Sequence, residues 1–181
     1  MSLELSTVLL VLFFSGCSVA LLLELLLQRA VRTGSLAPPR MYMEILVDAR
    51  LQHVWDYASD VARQPEWMHE MKRVEMLTPG PIAVGSRGRA TVRIFGISTT
   101  DDVVITRLEP PHAFGIRHEG KFTGEGLLEF SAVGVQKTLI RWVEYLRPPL
   151  FPMLAGFLQR PMLRRIFQSD LRHLKEILEE G

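Results

Sequence analysis

The sequence predicts an α+β protein in which one membrane-spanning helix precedes an antiparallel sheet and a long C-terminal helix. Three observations carry this reading. Residues 5–23 run for 19 positions without a charge, a stretch that as a helix measures roughly 28 Å, close to the hydrocarbon thickness of a bilayer. Residues 87–94 alternate, with Arg87, Arg89, Thr91 and Arg93 on one face and Gly88, Ala90, Val92 and Ile94 on the other. That period of two belongs to an antiparallel strand wet on one side. From Pro161 onward, Met162, Leu163, Ile166, Phe167, Leu171, Leu174, Ile177 and Leu178 recur at helical spacing, the stripe of a helix laid against a sheet.

In chain order, apolar character extends over residues 3–27, broken only by Glu24, which is placed to snorkel toward the interface. Residues 1–28 therefore read as an anchor. Residues 29–40 form a linker, with Gly34, Ser35, Pro38 and Pro39 as helix breakers, and residues 41–181 form the head. Three other readings of the leader compete: a cleaved signal peptide, a lipobox with Cys17 lipidated, and a true start at Met41 or Met43. A signal peptide wants a positive n-region, and residues 1–7 carry only Glu4. A lipoprotein wants a polar tether after its cysteine, where this chain is mostly leucine. The basic residues Arg29, Arg32 and Arg40 all follow the span, which places the head in the cytoplasm.

Within the head, residues 43–47 are strand-like, and residues 49–62 carry Leu51, Val54, Trp55 and Ala58 at helical spacing behind Asp48 as N-cap. Pro65 and Trp67 close a loop. Strands are expected at 74–77, 87–94, 99–107, 113–119, 124–132 and 137–146, with Pro-Gly and Val-Gly turns between them. Pro161 suits the first position of the last helix, since its missing N–H costs nothing there. Asp170 falls in the middle of that helix's apolar face and His173 near its edge. Arg164, Gln168 and Lys175 fall on the opposite, polar face.

Composition excludes several classes. The head balances 18 Lys and Arg against 18 Asp and Glu, so it lacks the basic excess of a nucleic-acid binder. Cys17 is the single cysteine, so no internal disulfide forms. The five histidines are scattered, and no metal or cofactor site is expected. Phosphate loops, dinucleotide fingerprints and nucleophile elbows are absent. His118-Glu119 is a candidate acid/base pair, but neighbours on a strand face opposite ways, and the two read as polar residues of a surface or hairpin. No catalytic residue is assigned.

The residues Ala49-Arg50-Leu51-Gln52-His53-Val54-Trp55, Asp60 with Pro65-Glu66-Trp67, Gly80-Pro81 with Val84-Gly85-Ser86, Glu109-Pro110-Pro111, Thr138 with Trp142, and Leu174-Lys175-Glu176-Ile177-Leu178-Glu179 together resemble the START-related, Bet v 1-like superfamily. Within it they are most similar to the polyketide cyclase/dehydratase and lipid-transport group. The resemblance implies a helix-grip fold: a curved antiparallel sheet around the long C-terminal helix, enclosing an apolar cavity for a lipid or other hydrophobic small molecule. It implies no specific reaction. The features of the ubiquinone-binding branch are missing.

On this reading Arg141, Trp142, Ile166 and Asp170 are the candidate ligand-binding residues, with Arg141 turned inward to pair Asp170 and orient a ligand's polar end; the alternative for Asp170 is a helix-edge carboxylate bonded to Arg or to solvent. Residues 146–158 are unusually apolar for a connection. Either they pack as a lid on the core, or Phe151, Leu154 and Phe157 dip into the bilayer as an entry gate hinged at Pro148, Pro149, Pro152 and Gly156. The expected function is membrane-tethered binding or transfer of a lipid or other hydrophobic small molecule, with the lipid bilayer itself as a partner. The alternatives are a cyclase/dehydratase-like enzyme and a membrane-bound scaffold with a vestigial cavity.

Overall fold

The computed structural model describes residues 2–94 and 96–180. Met1 and Gly181, the outer limits of the expected anchor and head, lie outside the described residues, as does Phe95. Helix α1, Ser2–Arg32, leads through a short connection to strand β1, Met41–Val47. Helix α2, Leu51–Ala58, a 3-10 turn at Val61–Arg63, and the single-turn helix α3, Gln64–Trp67, follow. Six strands come next: β2 Met71–Met76, β3 Arg87–Ile94, β4 Ile97–Glu109, β5 Ala113–Glu119, β6 Thr123–Val133 and β7 Lys137–Arg147. Helix α4, Pro152–Glu180, closes the fold.

The strands form one antiparallel sheet in the order β1-β7-β6-β5-β4-β3-β2. Inward residues alternate along each strand, as pleating requires. Phe130 and Ile140 from β6 and β7, with Met41 and Met43 from β1, meet Leu163, Phe167, Leu171, Leu174 and Leu178 of α4 in one core. Trp55 packs edge-on to Phe130 at 5.6 Å, and Trp67 to Trp142 at 6.0 Å, adding the favourable ring geometry of aromatic pairs to their burial.

The polar flank of α4 does more than face water. Arg164, Gln168 and Lys175 donate to the carbonyls of Tyr42 (3.1 Å), Glu44 (3.1 Å) and Leu46 (2.9 Å). These three carbonyls lie on the free edge of β1, and the helix covers an edge that would otherwise recruit another strand.

Five expectations are corrected by the structure. The last helix begins at Pro152, and Pro161 lies inside it. Both prolines suit a first helical position. The choice falls to a distant group: both Glu24 oxygens accept from the Met153 amide, at 3.1 and 3.2 Å, and Oε2 also accepts from Leu154 at 2.8 Å. Glu24 is thus a cap, only 4% exposed and bonded also by Gln28, rather than a carboxylate snorkelling to water. Gly156 is no hinge, since it is buried in α4 where a Cβ would meet Pro39 Cγ at 3.0 Å. Asp48 does not cap α2, whose N-cap is Arg50; its carboxylate pairs with Lys137 at 2.7 Å instead. Residues 64–67, expected as loop, make the α3 turn, with Pro65 in its first turn.

Candidate functional site

Helix α4 packs chiefly over β1, with smaller contacts to β7 and α3. The concave faces of β2 to β5 are therefore left partly uncovered, and a cavity of about 240 Å³ lies there. Val74, Val92, Val103, Ile105, Phe114 and Ile116 are part of its sheet wall, with Leu163 and Phe167 on α4 also lining it. This volume is below the range of about 300–1,000 Å³ common for drug-sized ligands, so it suits a compact molecule or a single chain.

A small set of polar groups breaks the apolar wall. On β5, His118 points inward beside Ile116, while Glu119 points outward and pairs with Arg87 and Arg117. His118 and Glu119 therefore do not act together. The imidazole instead reaches Glu144 of β7, its Nε2 lying 3.0 Å from Oε1. The other carboxylate oxygen accepts from Trp142 Nε1 at 2.9 Å. Glu144 is 3% exposed, so both of its oxygens are held by protein rather than water.

Strand β6 lies between these two residues, and its glycines make the contact possible. Gly126 stands opposite Glu144, and a Cβ there would come within 2.4 Å of Glu144 Oε2. Gly124 stands opposite His118. A strand glycine marks close approach by another group, and the Gly-x-Gly on one face of β6 was the sequence signal for this pair. Asp101 on β4 completes the cluster, accepting from the Lys121 amide at 2.6 Å. It uses the space left by Gly120, where a Cβ would lie 2.0 Å from Asp101 Oδ1. Burial alone lowers the His118 pKa, but the bond to Glu144 and the charges of Glu144 and Asp101 outweigh it and hold the pKa above its ordinary value.

A second polar group lies at the α3 end. Asp170 is 2% exposed and lines the cavity. Its Oδ1 accepts from the His69 amide at 3.1 Å and lies 3.1 Å from His69 Nδ1. Burial pushes the Asp170 pKa up; the His69 bonds oppose this, and the charge of Glu70 adds to it. His69 in turn stacks on His173 at 4.6 Å. Gln64 and Glu70 also line the cavity.

Of the residues singled out from sequence, Trp142 and Asp170 line the cavity. Ile166 is half-buried against the core beside it. Arg141 does not face inward: it is exposed on the outer face and pairs with Glu44 at 3.6 Å. Adjacent strand residues face opposite ways, so Arg141 and Trp142 cannot both enter. Phe151, Leu154 and Phe157 do not line the cavity. Leu154 and Phe157 sit half-buried in the first turns of α4, and Phe157 borders a separate shallow groove with Tyr42 and Arg160. Phe151 precedes α4 with φ of 50°, a left-handed backbone that a bulky side chain rarely adopts. Sequence reading set His118 aside as a surface or hairpin residue and passed over Gln64, Glu70, Asp101 and Glu144, all of which line the cavity.

Residues 38–179 match the family model described as "Polyketide cyclase / dehydrase and lipid transport". No curated protein is significantly similar to the chain. Among solved structures, a START superfamily protein from Mycobacterium smegmatis shares 20% identity over 78% of this chain and 94% of its own, with a TM-score of 0.58. The aromatase/cyclase ZhuI from Streptomyces sp. R1128 shares 16% identity over 78% of this chain and 97% of its own, with a TM-score of 0.57. A protein from Thermus thermophilus shares 19% over 76% and 95%, with a TM-score of 0.61. At these identities the likeness is one of fold.

Proposed function

The chain belongs to the polyketide cyclase / dehydrase and lipid transport family, and from that premise we propose that it binds a hydrophobic small molecule, a lipid or lipid-like compound, while tethered to a membrane. The observation that carries the reading is the cavity itself: about 240 Å³ with apolar walls on both sheet and helix. A packed interior normally leaves few voids larger than a water molecule, so an open apolar chamber of this size favours an occupant. The tether is α1, apolar and long enough to cross a bilayer. In the proposed orientation Arg29, Arg32 and Arg40 and the whole head lie on the cytoplasmic side. Leu150 and Phe151, both exposed beside the start of α4, then rest at the bilayer interface.

Organic extracts of the purified full-length protein, analysed by mass spectrometry, test the binding reading. One hydrophobic compound recovered in stoichiometric amount supports it; an empty chamber in protein purified from its own membrane refutes it. Carbonate washing with protease protection tests the tether: the protein stays in the pellet and only cytoplasmic protease reaches the head.

One observation favours a second reading. His118, with its pKa held up by Glu144 and Asp101, can carry a proton into an apolar chamber, as a cyclase or dehydratase acting on a polyketide-like substrate requires. Turnover of such a substrate that disappears in His118→Gln, with binding retained, would favour the enzyme.

A further inference from the structure

The polar groups of the cavity are strongly biased in kind. Four carboxylates line it, from Glu70, Asp101, Glu144 and Asp170, against a single imidazole, His118. Among the described residues no Lys or Arg lines it. Even with His118 protonated against Glu144, the chamber holds more anionic groups than cationic ones. An anionic head group placed there would face carboxylates, with His118, already paired to Glu144, as the basic group, and like charges brought together in a water-poor site repel strongly.

Two cavity-lining groups at the α3 end lack partners, as does the buried Trp67 Nε1 of α3, although buried polar groups are normally paired. Glu70 Oε2 is buried with no hydrogen-bond partner. Gln64 is 6% exposed and lines the cavity, and among the described residues no group bonds its side-chain amide. Glu70 lies near enough to Asp170 for its charge to bear on that carboxyl, while Asp170 Oδ1 is taken by His69. Acceptor oxygens of Gln64, Glu70 and Asp170 therefore line one apolar chamber, and among them Glu70 Oε2 is left without a donor.

We propose that the cavity selects an amphiphile whose polar end is a protonated amine, seated among Gln64, Glu70 and Asp170 with its apolar body in the remainder of the chamber. This rests on the binding reading above and names its ligand class. An ammonium supplies donors to Glu70 Oε2 and to the Gln64 carbonyl and offsets the surplus negative charge. An alcohol supplies one donor and no charge, and a carboxylate supplies neither. The modest volume fits one chain or one compact ring system, not a two-chain phospholipid.

The test uses the full chain in phosphatidylcholine nanodiscs at neutral pH and two matched probe series: decylamine, decanol and decanoate, then adamantylamine, adamantanol and adamantanecarboxylate. Calorimetry and tryptophan fluorescence are read against empty nanodiscs, with Trp142 on the cavity wall as reporter. The amine of a series binds about tenfold or more tightly than its alcohol, and the carboxylate binds weakest. Glu70→Gln lowers amine affinity about tenfold and leaves alcohol affinity unchanged, which also shows that the variant is folded. A carboxylate binding as well as its amine overturns the proposal, as does a folded Glu70→Gln variant with undiminished amine affinity; either result leaves cavity binding in place. If no member of either series binds, the binding reading fails and this proposal with it.

Discussion

Replacing Glu24 by Ala removes the only side chain that joins α1 to the start of α4 by hydrogen bonds among the described residues. The carboxylate accepts from the Met153 amide at 3.1 and 3.2 Å and from the Leu154 amide at 2.8 Å, in a setting where Glu24 is 4% exposed. A bond to a charged acceptor contributes about 1.5–3 kcal/mol, and loss of a helix N-cap costs about 0.5–2 kcal/mol. These figures describe overlapping effects, and undocking of α1 lets water reach the freed amides. We therefore expect a local cost of about 1–3 kcal/mol, or roughly 5–150-fold faster hydrogen exchange at Met153 and Leu154. Global unfolding of the head should hardly change, because its core residues lie elsewhere. Exchange followed by mass spectrometry on the full chain in nanodiscs reads the effect. Glu24→Gln, which keeps one acceptor oxygen, should fall between wild type and Ala. Unchanged exchange in Glu24→Ala would refute the idea that α1 is docked to the head through this cap.

Other outcomes follow from the cavity groups. Glu144→Gln removes the anion that does most to hold the His118 pKa up, so burial weighs more heavily and the pKa falls from its raised value, as NMR titration of the imidazole would show. In the wild type, the stability that His118 contributes is complete below pH 6.5 and is lost as pH rises through its raised folded value. The denaturant midpoint of Glu144→Gln should therefore lose that acid-side component, and an unchanged His118 titration would sink the pairing. Gly126→Ala drives a methyl to within 2.4 Å of Glu144 Oε2; it should cost about 1–3 kcal/mol in chemical denaturation and lower the His118 pKa in the same direction. Asp170 has a pKa raised by burial from 3.8, so its contribution is complete below pH 3.8 and declines as pH rises through the folded value. Asp170→Asn keeps an acceptor for the His69 amide and should match or exceed wild-type thermal stability at neutral pH; a clear loss there would show that the ionised form is favoured.

Glu24 ties α1 to α4, the element that also supplies Gln159, Leu163, Phe167 and Asp170 to the cavity. Gln28 steadies the carboxylate from the next turn of α1 at 2.7 Å. In the proposed membrane setting, α1 and the cavity-forming helix are thus connected by a fixed contact rather than by the linker alone. The orientation of the chamber relative to the bilayer then depends on that contact.

The sequence by itself determined the parts of this protein that repeat locally. A 19-residue uncharged run, strand alternation, and an apolar stripe at helical spacing each encode one face of one element, and the antiparallel sheet, α1 and α4 follow from them. Burial of Leu163, Phe167, Leu171, Leu174 and Leu178 was legible for the same reason, as was the place of Asp170 on the apolar face of α4. The tertiary structure decided whatever depends on two distant segments meeting. Pro152 rather than Pro161 begins α4 because a carboxylate far earlier in the chain, that of Glu24, caps it. Likewise His118 faces Glu144 and not Glu119, because the register of β5, β6 and β7 brings them together over Gly126. Arg141 faces outward because Trp142 faces inward. Periodicity fixes which face of an element is apolar, but register and long-range packing fix which polar groups share that face. The chemistry of this cavity is set by the second of these.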